Sequence, residues 1–237
     1  MSKQNRVAMI TGATGGLGRI VAKRLAQEGA SLALFSSNED HLSQLAAELD
    51  LPEARWMTRA VDFRDPQAAQ TAFQATIDKF GRADMLLHFV GGWTGGKSIT
   101  EFETGQFEDM LQQHLWTTLH LAKAVVPHFT ASGWGRIVVV SSPNAAQPAA
   151  KSAPYAIAKA AQETLLLALA QELKQSGVTA NILRVSTIDV QHARDLEPSP
   201  ANVAWTTPEE IAEVVLYLCS DAARVVNGAR IPLYGSP

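Results

Sequence analysis

Short apolar segments alternate with longer amphipathic segments along most of the chain. Seven short segments are apolar at most of their positions, whereas the stretches between them have apolar residues at the three- to four-residue spacing of helices with one buried face. Strands that alternate with helices form parallel sheets covered on both faces. The pattern predicts strands at 6–10, 31–35, 55–60, 84–89, 136–141, 179–184 and 229–233, and helices near 16–28, 39–49, 66–79, 104–130, 154–175 and 207–220.

Two of the predicted helices begin with residues that are typical of helix N-termini. Asp65 precedes Pro66, and Thr207 precedes Pro208 and two glutamates. Together with the alternation, these signals predict an α/β fold with a doubly wound parallel sheet of about seven strands between two layers of helices. No Pro-rich or Ser-rich linker interrupts the chain, so we expect a single domain over residues 1–237.

The composition narrows the classes of function. The chain has 237 residues, of which 46% are apolar and 18% charged, with a net charge of −3. This balance gives no reason to expect nucleic acid or an anionic membrane as a partner. The N-terminal sequence lacks the apolar segment of a signal peptide, and no apolar run approaches the roughly 18 residues that span a bilayer. The single cysteine, Cys219, excludes a disulfide within the chain, and we expect a cytoplasmic location.

A glycine-rich segment, TGATGGLG at 11–18, connects the first predicted strand to the first predicted helix. This context is typical of a dinucleotide-binding turn, in which Gly12 permits the turn, Gly16 lets the backbone approach a pyrophosphate and Gly18 allows close helix packing. The free amide groups of the first helical turn would bind the phosphates. An ordinary strand-to-helix turn is the alternative interpretation.

A tyrosine and a lysine, Tyr155 and Lys159, lie four residues apart on a strongly helical stretch and therefore share one helix face. A phenol, with a pKa of about 10, is a weak acid–base group at neutral pH. A neighbouring ammonium favours the phenolate, so we expect Lys159 to lower the pKa of Tyr155. Ser142, just after the predicted strand 136–141, could hold a carbonyl oxygen. Such a pair alone is common on helix surfaces, but its combination with the glycine-rich turn favours catalysis.

In the order and spacing of these motifs, the chain from about residue 5 to residue 233 resembles the short-chain dehydrogenase/reductase family. The resemblance implies one Rossmann domain that carries both cofactor and substrate sites, and hydride transfer between NAD(P)(H) and a carbonyl or alcohol. It implies Tyr155 as general acid or base and Ser142 as the residue that steadies the substrate. Lys159 would lower the pKa of the tyrosine and bind the nicotinamide ribose. No catalytic metal is implied.

The resemblance also implies which residues bind the cofactor. Asp62, after the third predicted strand, matches the aspartate of the family that contacts adenine. The complete predicted set is Gly12, Thr14, Gly16, Leu17, Gly18, Ser36, Ser37, Asn38, Asp62, Phe63, Val90, Gly91, Tyr155, Lys159, Ser186 and Ile188.

The end of the second predicted strand bears on the choice of cofactor. NAD-specific members of the family have an acid there that binds the adenine ribose, and this chain has none. A 2′-phosphate is therefore permitted, and the Ser36 and Ser37 hydroxyls and the Asn38 amide could bind it. No lysine or arginine stands at these positions or at 13–15 to attract it. We predict NADP(H) in preference to NAD(H).

Four positions depart from the pattern of the family. HFVG replaces NNAG at 88–91, His114 replaces the helix-four asparagine of a proton relay, Val185-Ser186 replaces Pro-Gly, and Val190 replaces a threonine. Two interpretations of His114 stay open, a proton relay near neutral pH and a hydrogen-bonded residue in the helix interior. The departures also motivate a second hypothesis, a regulatory or scaffold protein that keeps the nucleotide-binding fold without turnover.

A second glycine-rich segment, GGWTGGKS at 91–98, matches the phosphate loop of nucleotide triphosphatases. In such a loop the lysine and serine begin a helix, whereas here β-branched residues and a glycine follow before the helical pattern starts. We therefore expect Gly91 to lie close to the cofactor, and Trp93 and Lys97 near the substrate entrance. Hydrolysis of Mg-ATP is the third and least favoured hypothesis.

Two expectations concern the surface. The segment 187–204 is short for the substrate lid of the family, which predicts an open pocket or a small substrate.

The resemblance implies a dimer or tetramer through the helices near 104–130 and 154–175. The apolar run at 164–170 fits such an interface, although a buried core face explains it as well.

Overall fold

The computed structural model describes residues 5–235, and their central feature is a seven-stranded sheet in which every pair of neighbouring strands is parallel. The strand order is β3-β2-β1-β4-β5-β6-β7. The predicted α/β fold class with a doubly wound parallel sheet is confirmed. The strands are β1 (Val7–Thr11), β2 (Ser31–Ser36), β3 (Trp56–Ala60), β4 (Met85–His88), β5 (Gly135–Ser141), β6 (Val178–Val185) and β7 (Arg230–Leu233).

Helices cover both faces of the sheet. On one face, α1 (Gly16–Gln27) and α8 (Pro208–Leu218) bury Val21 and Val215 in one core. On the other face, α3 (Pro66–Phe80), α5 (Thr117–Ser132) and α6 (Ala153–Glu172) bury residues such as Phe73, Phe129 and Leu166. Burial on both faces explains why successive strand positions are apolar. The other α-helices are α2 (Glu39–Glu48), α4 (Thr104–Leu111) and α7 (Ala193–Leu196).

The helix predicted over 104–130 is interrupted. A π-helical segment, Gln112–Trp116, separates α4 from α5. A wider turn leaves carbonyl groups without their usual helical partners, and two threonines bond to them: Thr117 Oγ1 donates to the Gln113 carbonyl at 2.7 Å and Thr118 Oγ1 donates to the His114 carbonyl at 2.6 Å. The segment directs Gln113 and His114 towards the loop that follows β4.

The strand order reverses between β1 and β4. The chain proceeds from β1 outward to β3, and then returns to place β4 on the other side of β1. In open α/β sheets, ligands bind in the crevice beyond the carboxyl ends of the strands at such a reversal. The turns after β1, β2, β3 and β4 meet at this crevice, as their shared cleft shows.

Candidate active site

The turn between β1 and α1 is built for an anion. Gly12 has a φ of +68°, and a Cβ there would lie 2.9 Å from the Phe89 carbonyl carbon, so only glycine fits without strain. Gly15 caps α1 and offers no side chain to the amide groups of the first turn. Because these donors have no capping side chain, the helix N-terminus fits a phosphate group.

A cleft of about 370 Å³ begins at this turn and extends over the carboxyl ends of β2, β3 and β4. Seven of its lining residues belong to the predicted cofactor set: Gly12, Ser36, Ser37, Asp62, Phe63, Val90 and Gly91. The sequence reasoning missed the other six, which are Gly15, Val61, Arg64, Phe89, Gln113 and Thr117.

The residues at the end of β2 are partly committed to local bonds. The Ser36 hydroxyl lies 2.8 Å from Thr14 Oγ1 and accepts from the Asn38 amide at 3.3 Å. Asn38 Oδ1 caps α2 by accepting from the His41 amide at 2.9 Å. Only the amino group of the Asn38 side chain is therefore left to donate to a ligand. Ser37 is exposed in the wall of the cleft.

An arginine supplies the cation that the sequence search did not find. Arg64 lines the cleft, and its guanidinium binds the Asp62 carboxylate, with Nη2 2.6 Å from Oδ2 and Nε 3.0 Å from both oxygens. The hydrogen bonds from Arg64 lower the pKa of Asp62, and those to Asp62 raise the pKa of Arg64. The sequence contained a clue to this arginine, because Arg64 follows the predicted adenine-binding residue Asp62 by two positions.

Four predicted cofactor residues have side chains that turn away from the cleft or lie beyond it. Leu17 is buried in the α1 and α8 core, and the Phe63 ring packs in the core of the opposite face. Their main-chain groups alone can face a ligand. Ile188 packs against the core and pairs with Thr206, while Ser186 is exposed just after β6.

The short lid is held against the body of the protein. The buried Asp189 carboxylate accepts from the Ala193 and Arg194 amides, each at 2.8 Å, and so caps α7. The Val190 side chain packs against Gly16, where an added Cβ would lie 2.5 Å from it. Hydrogen bonds thus hold this short lid, and an apolar side chain covers Gly16. The expectation of an open pocket or a small substrate stays a prediction.

His88, which stands where the family pattern has an asparagine, connects the end of β4 to Thr11 of β1 and Thr117 of α5. Thr117 Oγ1 donates to the Gln113 carbonyl, so it accepts from His88 Nε2 at 3.3 Å, and His88 Nδ1 accepts from Thr11 Oγ1 at 2.7 Å. Complete burial, with a smaller effect of the Lys159 charge, lowers the pKa of His88 to about 3. His88 is therefore a neutral structural group.

His114 lies between the cleft and the tyrosine. Its Nε2 donates to the Gly92 carbonyl at 3.0 Å, and a Cβ on Gly91 would lie 2.4 Å from its Cε1. Burial, and then the charge of Lys159, lowers the pKa of His114 to about 3. The hydrogen bond to Gly92 and the burial fit a residue of the helix interior, and the proton-relay interpretation stays a prediction. Its Nδ1 is buried without a hydrogen-bond partner among the described residues.

The three predicted catalytic residues come together next to His114. Ser142 follows β5, Tyr155 lies in the first turn of α6, and Lys159 lies one turn further on. The Tyr155 ring meets the His114 ring edge-on at 5.6 Å, and Lys159 Nζ lies 5.9 Å from the Tyr155 ring centroid. The Ser142 side chain lies close enough to the Tyr155 phenol to lower its pKa, although burial of the phenol has the larger effect. His114, which packs on the Tyr155 ring, also lies against Gly91 in the wall of the cleft.

The pKa of Tyr155 lies above its ordinary value. Burial raises it, and the Ser142 side chain opposes that rise only in part. Burial also lowers the pKa of Lys159 to about 7, against the opposing charge of Glu163. The pKa of Tyr155 is thus raised, because burial of the phenol has the largest effect on it. That Lys159 lowers the pKa of the phenol stays a prediction.

The GGWTGGKS loop does not have the form of a triphosphate site. Ser98 begins a short 3₁₀ turn, and its hydroxyl and amide both donate to Glu101 Oε2, at 2.5 and 2.8 Å. This carboxylate stands where a phosphate would need donors. The glycines serve close packing instead: a Cβ on Gly95 would lie 2.4 Å from the Trp93 ring, which is itself 63% exposed.

Residues 5–235 contain neither a group of side chains suited to a metal ion nor a helix suited to crossing a membrane. No three histidine, cysteine, aspartate or glutamate side chains in this range are grouped so that they could hold a metal ion. None of its helices combines the length and the apolar character that crossing a membrane requires.

Comparison with known proteins gives consistent matches over nearly the whole chain. The family model described as short chain dehydrogenase matches residues 6–201. The 1,6-dihydroxycyclohexa-2,4-diene-1-carboxylate dehydrogenase of Pseudomonas putida is 30% identical over 98% of this chain and 92% of that protein. The crystal structure of levodione reductase superimposes with a TM-score of 0.89 at 27% identity, covering 98% and 97% of the two chains. A Brucella melitensis 3-ketoacyl-(acyl-carrier-protein) reductase, crystallised with NADH, shares the fold, with a TM-score of 0.89 and 23% identity over 99% of each chain.

Proposed function

The chain belongs to the short-chain dehydrogenase family, and on that premise we propose that it transfers a hydride between NAD(P)(H) and a carbonyl or alcohol substrate. The observation that carries this proposal is the grouping of Tyr155 with Ser142 and Lys159, in which Lys159 Nζ lies 5.9 Å from the centroid of the Tyr155 ring. The same ring packs on His114, and His114 lies against Gly91 in the wall of the cleft. One domain would carry both sites, because the cleft and the three residues share the carboxyl ends of the same sheet.

The cleft fits a dinucleotide. The uncapped first turn of α1 would hold the pyrophosphate, Asp62 and Val90 would line the adenosine end, and Lys159 would reach the nicotinamide ribose. When bound, the cofactor supplies or accepts the hydride. The Val190 side chain lies over Gly16, so it would be next to the phosphates of a bound cofactor.

The protein residues manage the proton. Ser142 would hold the carbonyl oxygen by a hydrogen bond, and Tyr155 would donate its proton as negative charge develops on that oxygen. Because burial raises the pKa of Tyr155, the phenol is protonated at neutral pH and is ready to act as an acid. The charged form of Lys159 would stabilise the phenolate that remains. These residues are therefore set for carbonyl reduction at neutral pH.

The raised pKa of Tyr155 predicts different pH dependences for the two directions. Alcohol oxidation needs the phenolate, whose fraction grows about tenfold per pH unit below the pKa, so its rate should rise steeply between about pH 7 and 9. Carbonyl reduction should lack this rise. Initial rates from nicotinamide absorbance, with a panel of ketones, quinones and alcohols, measure both.

Two outcomes of that assay would contradict the proposal in different ways. Oxidation that reaches a plateau below about pH 8 would show that the bound complex lowers the pKa of the phenol. Binding of NADPH without turnover of any substrate would favour the regulatory or scaffold hypothesis.

We propose NADP(H) as the preferred cofactor, and Arg64 as the residue that discriminates. Its guanidinium is 59% exposed at the cleft, and the Ser37 hydroxyl stands in the same wall. Arg64→Gln should weaken NADPH binding about tenfold and change NADH binding by less than about twofold, because only NADPH carries the 2′-phosphate. Calorimetric dissociation constants provide the test, with Arg59→Gln as the control outside the cleft. An equal loss for both cofactors would remove Arg64 from this role.

We propose that the protein forms a homo-oligomer through α5 and α6. An apolar groove of about 400 Å³ runs between these helices, lined by Leu119, Val126, Leu165 and Leu169. Leu165→Glu should reduce the molar mass measured by light scattering, since it places a charge in this groove, whereas Gln74→Glu on α3 should not. An unchanged mass would place the interface elsewhere. The cytoplasmic location and the absence of nucleic-acid or membrane partners stay predictions.

A further inference from the structure

A buried glutamine connects the lysine of the site to the π-helical segment. Gln162 is 1% exposed, and its Oε1 accepts from Lys159 Nζ at 3.0 Å. Its Nε2 donates to Thr118 Oγ1 at 2.9 Å, and Thr118 donates in turn to the His114 carbonyl at 2.6 Å. Side chains thus link α6 to the π segment without a break.

The bonds in this chain fix the orientation of the glutamine amide. The only proton of the Thr118 hydroxyl is committed to the His114 carbonyl, so Thr118 Oγ1 can only accept from Gln162. The amino group of Gln162 must therefore face Thr118, and its carbonyl oxygen must face Lys159. A reversed amide would set two donors against each other at the lysine and two acceptors at the threonine.

The lysine depends on neutral acceptors. Its Nζ donates to the Val140 carbonyl at 2.7 Å and to Gln162 Oε1, which leaves one N–H for the site. Glu163 is the charged group that raises the pKa of Lys159, and the two histidines on which the lysine charge acts, His88 and His114, are neutral. Arg184 and Arg230 bind the Glu163 carboxylate, at 2.5 and 2.9 Å. The Tyr155 phenol, on the same helix, is protonated at neutral pH.

We propose that Gln162 is a positioning residue for the proposed hydride-transfer reaction: its carbonyl oxygen, oriented by Thr118, fixes the Lys159 ammonium and directs its remaining N–H towards Tyr155 and the cofactor ribose. The role rests on the proposed function, although the hydrogen bonds themselves do not. A hydrogen bond to a charged donor stabilises the charged form, so Gln162 keeps the buried amine protonated closer to neutral pH than burial alone would allow.

The direct test is the titration of the Lys159 amine, followed by NMR of lysine labelled at the ε position. The Lys159→Met spectrum assigns the signal. Gln162→Leu should lower the pKa of this amine by about one pH unit, and Gln162→Glu should raise it. Gln171→Leu, the same change at an exposed position of α6, should leave it unchanged.

The threonine provides a second pair of variants with milder effects on packing. Thr118→Val removes the acceptor that orients the amide, so it should shift the Lys159 titration in the same direction as Gln162→Leu but less. Thr118→Ser keeps the hydroxyl and should restore the original titration. In an active enzyme, the alkaline limb of the pH profile for carbonyl reduction should move with the amine.

A Lys159 titration that is the same in Gln162→Leu, Thr118→Val and the parent protein, each with an intact circular dichroism spectrum, would overturn the proposal. Lower stability with an unmoved titration would show a purely structural role and overturn it as well. The NMR measurement needs no turnover. A shifted titration in a protein without reductase activity would therefore support the Gln162 role and count against the proposed function alone.

Discussion

Replacing Tyr155 with phenylalanine is expected to lower kcat/KM for carbonyl reduction by about 10²–10⁴-fold. The change removes the phenol that, in the proposed mechanism, gives a proton to the substrate oxygen. The ring itself packs edge-on against His114, and phenylalanine preserves that contact. NADPH affinity and the free energy of unfolding should therefore change little, which separates the chemical step from folding and binding.

The measurement compares initial rates and NADPH dissociation constants of the parent protein and the variant on the same substrates. Tyr217→Phe is the matched control, because Tyr217 lies on α8 and is 48% exposed. We expect parental rates in the control. Reduction that survives in Tyr155→Phe at more than about a tenth of the parental rate would show that another group donates the proton.

A methyl group added to Gly18 is expected to lower the stability of the protein strongly. Its Cβ would lie 2.2 Å from the Gly12 carbonyl oxygen and 2.8 Å from Ala13 Cα. Both contacts are with backbone, so no side-chain rotation can relieve them. Gly18→Ala should lower the free energy of unfolding by about 3 kcal/mol and weaken NADPH binding, because α1 must move away from the turn after β1.

Denaturant unfolding provides the stability measurement, and Gly105→Ala provides the control. Gly105 lies in the first turn of α4, where an added Cβ meets nothing within 4 Å. The free energy of unfolding of the Gly105→Ala protein should be unchanged or higher by up to about 1 kcal/mol, because alanine favours the helical conformation and its methyl group causes no clash. A Gly18→Ala protein as stable as the Gly105→Ala protein would contradict the observed packing of α1 on β1.

The strands and the shared face of Tyr155 and Lys159 could be predicted because each depends on local sequence. Burial on both sides of the sheet makes β1 apolar at consecutive positions, and the end of an apolar run marks the end of a strand. A spacing of four residues places two side chains on one helix face in any helix. Neither feature depends on contacts with residues that are distant in sequence.

The interruption of the long helix and the state of its histidine could not be predicted in this way. A π-helical segment differs from an α-helix by one residue in a turn, and the apolar spacing on either side stays nearly the same. The pKa of His114 depends on burial by several elements that are distant in sequence, and a sequence pattern does not measure burial.

The pKa values at the site could not be predicted for the same reason, since they depend on burial. Spacing indicated that an amine lies near the Tyr155 phenol, but the direction of the pKa shift depends on whether burial or charge has the larger effect. Arg64 faces the turn after β2 only because β3 pairs with β2 in the sheet. A search confined to the residues next to Ser37 therefore missed this cation.

The most direct test of hydride transfer at this site follows deuterium from NADPH labelled at C4 of the nicotinamide into the product alcohol, for each ketone or quinone that the protein reduces. Mass spectrometry should show deuterium on the carbinol carbon with the parent protein, and about 10²–10⁴-fold slower appearance with Tyr155→Phe. A protein that binds the labelled cofactor but leaves the deuterium on it, with every substrate of the panel, would contradict the proposed activity.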